Sequence, residues 1–211
     1  MTRIVILGAG GHGREALAIA HAAGAHVMGF LDDGLPAGAS VGPHGLSVLG
    51  GIDALQRLDA SYVAAIGDPA ARRRIDERVT TWGRAAARLI HPDATVVDRS
   101  SLAPGVIIAA GARISTNVRL GRHTHVNLNA TVSHDTTVGD HAILGPGSHL
   151  SGGVIVGDGV WIGMGACVNQ SLKVGEDAIV GSGAVVTSDI PAHVTVVGVP
   201  ARPIRKLGHG S

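Results

Sequence analysis

The second half of the chain contains a histidine followed directly by an acidic residue, His134-Asp135. Imidazole suits proton transfer, because its unperturbed pKa lies close to the pH at which most proteins work. Attack by an amine or a hydroxyl group requires the loss of a proton, so His134 is a candidate general base. The chain has 12 histidines, and an ordinary exposed histidine is therefore the alternative interpretation.

A second candidate site lies near the start of the chain, where Gly8, Gly10 and Gly13 form a G-x-G-x-x-G pattern. The pattern follows an apolar run at residues 3–7, which predicts a buried parallel strand, and precedes an alanine-rich helical segment at residues 14–23. Glycine permits a tight turn and lets the backbone N–H groups at a helix N-terminus approach a phosphate. The turn therefore predicts a phosphate site, the alternative being a turn that binds no ligand.

The next predicted strand, residues 25–31, ends in Asp32-Asp33. Strand, glycine-rich turn, helix, strand and acid are the opening elements of a dinucleotide-binding fold. The segment that ends near residue 90 is too short for a complete dinucleotide site, so a nucleotide or nucleotide-sugar is favoured over NAD. Asp32 or Asp33 could accept a hydrogen bond from a base or a ribose, and a simple strand-end turn is the alternative.

The elements that position His134 come from a repeat of six residues. An aliphatic side chain stands at every sixth position for sixteen consecutive repeats, and a second, mostly small residue stands two positions before it. A fixed hexapeptide period predicts a β-solenoid, in which each short strand points one side chain inward. The aliphatic positions are Val96, Leu102, Ile108, Ile114, Leu120, Val126, Val132, Val138, Leu144, Leu150, Val156, Ile162, Val168, Val174, Val180 and Val186.

Composition narrows the class of protein. The 211 residues carry a net charge of +1, which predicts no general affinity for nucleic acid or membrane surfaces. The single cysteine, Cys167, excludes an intrachain disulfide and favours a reducing, cytoplasmic compartment. We recognise no signal peptide and no apolar run of membrane-spanning length.

The repeat of six residues, together with the Gly-x-Pro-Ala-Arg segment at residues 198–202, resembles the left-handed β-helix (hexapeptide-repeat) acyltransferases. The glycine-rich turn, Asp32-Asp33 and His134-Asp135 make the chain similar to sialic-acid O-acetyltransferases and bacillosamine-type N-acetyltransferases. We expect a Rossmann-like α/β half domain over residues 1–90, an all-β left-handed parallel β-helix over 91–190 and a C-terminal capping tail over 191–211. The resemblance implies a homotrimer that uses acetyl-CoA at an active site between neighbouring subunits.

In that family three hexapeptides make one coil, so residues 18 apart stack in adjacent coils. This places His134 beside Gly152, where the missing side chain leaves room for a ligand. In the resembled group the acid after the histidine, commonly Glu, orients or charges the ring. Asp135 has a shorter reach, which leaves the geometry of the pair open.

Other site residues follow from the resemblance, position by position. The positions that line the coenzyme A channel in the family are occupied here by Gly152, Met164, Gly181 and Ser182. The family asparagine near the acceptor sugar corresponds to Asn127. The family's nucleotide-sugar contacts in the first domain correspond to Gly10, His12, Asp32 and Asp33.

The chain also departs from the family. A second family histidine that contacts the acetyl group is replaced by Ile143, and whether His141 or His125 takes over its contact stays open. His141 stacks one coil beyond His123, so a structural corner pair is the simpler account of these two. Because His125 lies in a different phase and no further ligand is found, we expect no metal site.

These observations predict an acetyl-CoA-dependent N-acetyltransferase that acts on a nucleotide-linked amino-sugar, with direct transfer and His134 as the base. O-acetylation of sialic acid or a related sugar is the alternative within the same class. A non-catalytic β-helix scaffold is the alternative from a different class, and His134-Asp135 beside Gly152 argues against it.

Overall fold

A computed structural model of the chain describes residues 3–42 and 45–204. The first part is a sheet with one helix on each side. Strands β1 to β5 run in the spatial order β3-β4-β2-β1-β5, and only the short β3 is antiparallel to its neighbour. The elements are β1 (Arg3–Leu7), α1 (Gly11–Ala22), β2 (His26–Leu31), β3 (Ser40–Val41), β4 (Leu46–Gly50), a 3₁₀ helix (Ile52–Arg57), β5 (Ser61–Ala64) and α2 (Pro69–Thr80).

The alternation of side chains along β1 decides which element covers which face of this sheet. Ile4 and Ile6 pack against α1, whereas Val5 and Leu7 pack on the opposite side, where Val79 of α2 lies. A period of two is what an extended strand imposes when both of its faces are buried. Helix α2 begins at a defined cap, since the side chain of Asp68 accepts a hydrogen bond from the backbone N–H of Ala71 at 2.6 Å.

The second part is a parallel β-helix whose faces each collect every third strand. Within the described residues the first face is an eight-stranded sheet, the second six-stranded and the third four-stranded. The first face consists of Leu89–Ile90, Ile107–Ile108, His125–Val126, Ile143–Leu144, Trp161–Ile162, Ile179–Val180, Thr195–Val197 and the antiparallel Arg202–Pro203. The second face consists of Thr95–Val96, Arg113–Ile114, Thr131–Val132, His149–Leu150, Cys167–Val168 and Val185–Val186; the third of Arg119–Leu120, Thr137–Val138, Ile155–Val156 and Lys173–Val174. A short 3₁₀ turn, Arg99–Ser101, precedes the third face.

The predicted stacking of residues 18 apart is confirmed. Thr131 pairs with Arg113 on one side and with His149 on the other, and the other strands of the ladder follow the same register. The predicted inward positions from Leu102 to Val186 are all buried and form one continuous apolar core. Every inward side chain therefore packs on its equivalents in the coils before and after it.

We call the turns between successive faces the first corner (residues 127–130 and equivalents), the second corner (133–136) and the third corner (139–142). From residue 105 to residue 183 each corner contains one residue with a positive φ angle, and these residues, about half of them glycine, recur every six positions. Left-handed backbone is costly for most side chains, and asparagine and aspartate tolerate it best. Non-glycine residues in this conformation are Asn117, His123, Asn129, Asp135, His141, Ser171, Asp177 and His193.

Two ends of the solenoid differ from the expectation. Leu89–Ile90 lies inside the range predicted for the first domain, yet this strand pairs with Ile107–Ile108 of the β-helix. At the other end the β-helix is predicted to stop at residue 190, but Thr195–Val197 still pairs in parallel with Ile179–Val180. The last coil accommodates the proline by becoming two residues shorter, since Val174 bridges to Ile190.

The C-terminal tail then folds back on this last strand. Arg202–Pro203 pairs with Val196 and Val197 in the antiparallel direction, so the tail covers the sheet edge as a cap should. The remainder of the predicted tail, from residue 205, lies outside the described residues.

The two parts of the fold are joined by a buried polar network around Asp76 of α2. Its carboxylate accepts hydrogen bonds from the Tyr62 hydroxyl at 2.6 Å, Arg122 Nε at 2.6 Å and His123 Nε2 at 2.8 Å. Burial alone would raise the pKa of Asp76, but these hydrogen bonds outweigh it and hold the pKa well below its usual range. An ionised Asp76 thus ties α2 to the third corner of the solenoid.

Arg72, one turn earlier on α2, completes this connection. Its fully buried guanidinium donates to the carbonyl oxygen of His123 at 3.1 Å and also to the carbonyls of Ile66 and His141. Burial lowers the pKa of Arg72 to about 10. The rings of His123 and His141 stack with centroids 5.7 Å apart, which confirms the predicted corner pair.

We expect Asp76→Ala to lower the free energy of unfolding by about 3–5 kcal/mol, because it leaves buried donors without their anion. Equilibrium urea unfolding at a fixed protein concentration measures the change. Asp59→Ala is the control, since Asp59 pairs with Arg3 but its side chain is 92% exposed, and little change is expected there. Equal effects of the two substitutions would contradict a joining role for the network.

Candidate functional site

The second corner presents His134 to solvent with its ring held from one side. His134 Nδ1 lies 2.8 Å from Asp135 Oδ2, and the His134 side chain is 63% exposed. A Cβ atom built on Gly152 would lie 2.6 Å from both Cε1 and Nε2 of His134. The predicted juxtaposition is therefore present, and glycine is the residue that lets this ring lie flat against the next coil.

Asp135 reaches its histidine despite its short side chain, and a third residue explains how. Asn117 Nδ2 donates to Asp135 Oδ1 at 2.6 Å, from the equivalent corner position one coil earlier. The pKa of Asp135 is lowered first by this hydrogen bond and then by the one with His134. Sequence reasoning did not select Asn117, although the 18-residue register that stacks it on Asp135 was available.

The proton positions follow from the charge of the acid. An ionised carboxylate can only accept hydrogen bonds, so a neutral His134 ring carries its proton on Nδ1 and has its lone pair on Nε2. Cε1 and Nε2 lie against Gly152, so the ring itself fills the space that the missing side chain leaves, and the expected room for a ligand there is not open. The exposed imidazole can still remove a proton from a group that approaches it from solvent.

The glycines of the glycine-rich turn have different surroundings: two of them allow close packing, and one faces open space. A Cβ on Gly13 would lie 2.0 Å from the carbonyl oxygen of Gly8, so these two glycines allow the turn to close. Around Gly10 no heavy atom lies within 4 Å of a built Cβ, and no side chain caps the N-terminus of α1. Backbone N–H groups at this helix start can therefore be reached by an anion.

The two acids at the end of β2 are already engaged. Asp32 accepts hydrogen bonds from the backbone N–H groups of Ala9 and Gly34, both at 2.8 Å. Asp33 accepts from Ile52 N at 2.7 Å and from Arg78 at 3.1 Å. Both carboxylates brace loops around the turn, and a ligand would have to share their oxygens.

A pocket of about 240 Å³ lies between α1 and the first corner of the solenoid. Its walls are mainly apolar, and its polar side chains include His12 of α1 and Asn127 of the corner. These two predicted substrate contacts are far apart in the sequence, and the fold brings them to the same cavity. Leu128, Ile19, Ile107 and Ala109 contribute to the apolar walls.

His125 links the two halves of this pocket. Its Nδ1 lies 2.7 Å from Nε2 of His12, and the two rings stack with centroids 4.6 Å apart. His125 is buried and pairs in register with Ile143 on the adjacent coil. His141, by contrast, faces the Asp76 network, so His125 is the one of the two that lines a cavity.

The predicted coenzyme A positions divide between two corners. Met164 is 60% exposed at the first corner, and Gly181-Ser182 occupies the same corner one coil further on. Gly152 belongs to the second corner together with His134. The second face of the β-helix lies between the first corner, with Asn127, and the second corner, with His134. One chain therefore does not bring the predicted positions at the two corners together.

No group of three or more His, Cys, Asp or Glu side chains in residues 3–42 and 45–204 is placed to hold a metal ion. No helix in the described part of the chain has the length and apolar character needed to cross a membrane.

Family models match both parts of the fold. A model described as the PglD N-terminal domain matches residues 3–79, and a model of the bacterial transferase hexapeptide (six repeats) matches residues 153–188. A curated relative, GDP-perosamine N-acetyltransferase of Escherichia coli O157:H7, is 35% identical over 131 residues. That match covers 58% of this chain and 58% of the relative.

Solved structures match over nearly the whole chain. One is a histidine-to-alanine variant of GDP-perosamine N-acetyltransferase from Caulobacter crescentus, in complex with CoA and GDP-perosamine. It is 34% identical, with a TM-score of 0.91 over 97% of this chain and 98% of the other. The acetyltransferase domain of PglB from Neisseria gonorrhoeae FA1090, in complex with acetyl coenzyme A, is 36% identical, with a TM-score of 0.89 over 96% and 98%.

The buried His12–His125 contact predicts a pH-dependent stability. Burial lowers the pKa of His125 well below the value near 6.5 that it has when unfolded, and burial is also the main cause that lowers the pKa of His12. Their contribution is fully present above about pH 6.5 and is lost as the pH falls, because the unfolded chain then binds more protons. Between pH 7 and pH 5 the free energy of unfolding should decrease.

His125→Gln should make this decrease shallower, by up to about 1.4 kcal/mol per pH unit. Urea unfolding at pH 7.5, 6.0 and 5.0 gives the slope. His26→Gln is the control, since His26 is exposed at the start of β2 and the slope should remain that of the unmodified protein. An identical slope in the His125 variant would show that this histidine does not titrate on unfolding.

Proposed function

The chain belongs to the hexapeptide-repeat acyltransferases, in the group that includes the GDP-perosamine and PglB-type N-acetyltransferases, and we propose that it transfers the acetyl group of acetyl-CoA to the amino group of a nucleotide-linked amino-sugar. The observation that carries the proposal is the exposed His134 imidazole, which Asp135 orients and which packs against Gly152 of the next coil. The complexes of the relatives with CoA and GDP-perosamine support the two substrates.

In the proposed reaction the amine of the sugar attacks the thioester carbonyl carbon of acetyl-CoA. A new C–N bond forms, the C–S bond breaks, and Nε2 of His134 takes the proton that the nitrogen loses. The same imidazole then returns this proton to the departing thiolate of coenzyme A, so no acyl-enzyme is formed. Asp135 holds Nδ1–H throughout and stabilises the imidazolium that forms in between.

The first domain contributes binding of the acceptor in this proposal. The phosphates of the nucleotide-sugar lie at the open start of α1 near Gly10, and the sugar extends toward the pocket with His12 and Asn127. Asp32 and Asp33 contribute by bracing the loops there rather than as free carboxylates. Binding energy from the nucleotide positions the amine, which is a large part of the rate acceleration such an enzyme can supply.

We propose a homotrimer, because His134 and the pocket with Asn127 lie at different corners of one chain. The first corner carries Asn127, Met164, Gly181 and Ser182, whereas the second corner carries His134, Asp135 and Gly152. When three identical prisms pack around a threefold axis, the first corner of one subunit can meet the second corner of its neighbour. Coenzyme A then lies between two subunits, with the base from one and the acceptor pocket from the other.

The proposed location is the cytoplasm, where the single cysteine, Cys167, would remain reduced. The net charge of +1 favours small-molecule substrates over nucleic acid or a membrane surface as partners.

The proposed activity is tested by release of free CoA thiol from acetyl-CoA with UDP-, GDP- and dTDP-linked amino-sugars, CMP-sialic acid and free sialic acid. We expect turnover with at least one nucleotide-linked amino-sugar and a product that carries an amide. His134→Ala should lower kcat by about 10²–10⁴-fold, because it removes the base. Turnover with sialic acid alone would replace the proposal by O-acetylation, and thiol release unaffected by His134→Ala would overturn the role of this residue.

The shared site predicts complementation between two impaired variants. Subunits with His134→Ala and subunits with Asn127→Ala, coexpressed in equal amounts, should assemble at random into trimers, and about one quarter of all the sites formed should have both intact residues. Activity should therefore recover to about one quarter of the unmodified level, as measured by thiol release. The separately purified variants, mixed without subunit exchange, are the control. No recovery in verified mixed trimers would place both residues in one subunit's site.

A further inference from the structure

Among the polar side chains at the second corner, Asn117 contacts the His134–Asp135 pair although the reaction described above does not use it. Asn117 and Asp135 occupy equivalent positions one coil apart, both with left-handed backbone, at φ angles of 54° and 60°. Asn117 Nδ2 donates to Asp135 Oδ1 at 2.6 Å, while Asp135 Oδ2 lies 2.8 Å from His134 Nδ1. Both oxygens of the carboxylate are thus engaged, each by a different coil position.

We propose that Asn117 is a positioning residue for acetyl transfer, which holds the Asp135 carboxylate in the orientation that reaches His134. The proposal rests on the proposed function, in which His134 is the base. Asn117 touches neither substrate nor the ring in this arrangement, and it acts through Asp135 alone.

The need for such a residue follows from exposure and from local geometry. The side chains of Asp135 and His134 are 58% and 63% exposed, so neighbouring packing does not fix them. An aspartate with left-handed backbone can also turn its carboxylate back to nearby backbone N–H groups. The amide of Asn117, on the preceding coil, donates a hydrogen bond to Oδ1 of Asp135. This contact leaves Oδ2 directed at Nδ1 of His134.

An uncharged amide suits this task better than a cationic side chain. Asn117 stabilises the ionised form of Asp135, in agreement with the lowered pKa of that carboxyl, and adds no charge that would oppose protonation of His134. The ionised carboxylate keeps the proton on Nδ1 and the lone pair on Nε2. No proton passes through Asn117, since the transferred proton moves only between the amine, Nε2 and the sulfur of coenzyme A.

Asn117 could instead serve only the corner itself, because asparagine tolerates left-handed backbone. Asn117→Gly separates the two roles. Glycine accepts a φ of 54° more readily than asparagine, so the corner is retained while the amide is lost. His193→Gly is the matched control, since His193 has a φ of 60° at another corner and does not contact the His134 pair.

We expect Asn117→Gly to lower kcat about tenfold, with KM for both substrates within about twofold and no loss of thermal stability, because an interaction that only orients the base acts on the transition state. Asn117→Asp should shift the acidic limb of the kcat–pH profile to higher pH, because a second carboxylate favours the protonated base. Unchanged kcat in Asn117→Gly across the pH range would overturn the proposal, as would the same loss in His193→Gly.

A measurement independent of turnover distinguishes this proposal from failure of the proposed function. Carboxyl ¹³C NMR of Asp-labelled protein, with the Asp135 signal assigned through Asp135→Asn, reports the titration of this residue directly. The pKa of Asp135 should rise in Asn117→Gly relative to the unmodified protein, because the first cause of its lowered value is removed. If acetyl-CoA is not turned over but this rise is seen, the activity fails and the contact stands. An unchanged Asp135 titration overturns the proposal.

Discussion

The structure depends on one packing constraint: each inward aliphatic side chain of the solenoid must lie on its equivalents one coil before and one coil after. The core from Leu102 to Val186 is continuous because the hexapeptide period does not slip over this range. A shift by one residue would turn the whole inward set toward solvent. The corners between strands are therefore held at fixed places by the core, although they contribute little apolar surface themselves.

This arrangement explains why the polar side chains of the candidate site lie at the corners. The inward side chains of the strands pack in the core, so polar residues collect at the corners. Left-handed positions there favour glycine, asparagine and aspartate. At the second corner, Asn117, Asp135 and Gly152 surround His134 on adjacent coils. At the third corner the same backbone positions carry His123 and His141, which instead bind α2 through Asp76 and Arg72. One repeated backbone feature thus holds the exposed His134–Asp135 pair on one edge and attaches the first domain on another.

The attachment of the first domain fixes the pocket that contains His12 and Asn127. Helix α2 is tied to the third corner, while α1 is placed against the first face, where His12 meets His125. The pocket with Asn127 is formed only because both contacts hold the domain on the solenoid. His134 and Asp135 lie at the remaining, second corner.

The sequence by itself determined the solenoid, the glycine-rich turn, the contact of His134 with Gly152 and the stacking of His123 on His141. All of these follow from a period, which converts residue numbers into positions in space. The tertiary structure alone decided what has no period: the Asp76 network, the meeting of His12 with His125, the engagement of Asp32 and Asp33 by backbone, and the transfer of Leu89–Ile90 to the β-helix. Asn117 lies between these cases, since its register was readable from the sequence but its hydrogen bond depends on side-chain geometry at the corner.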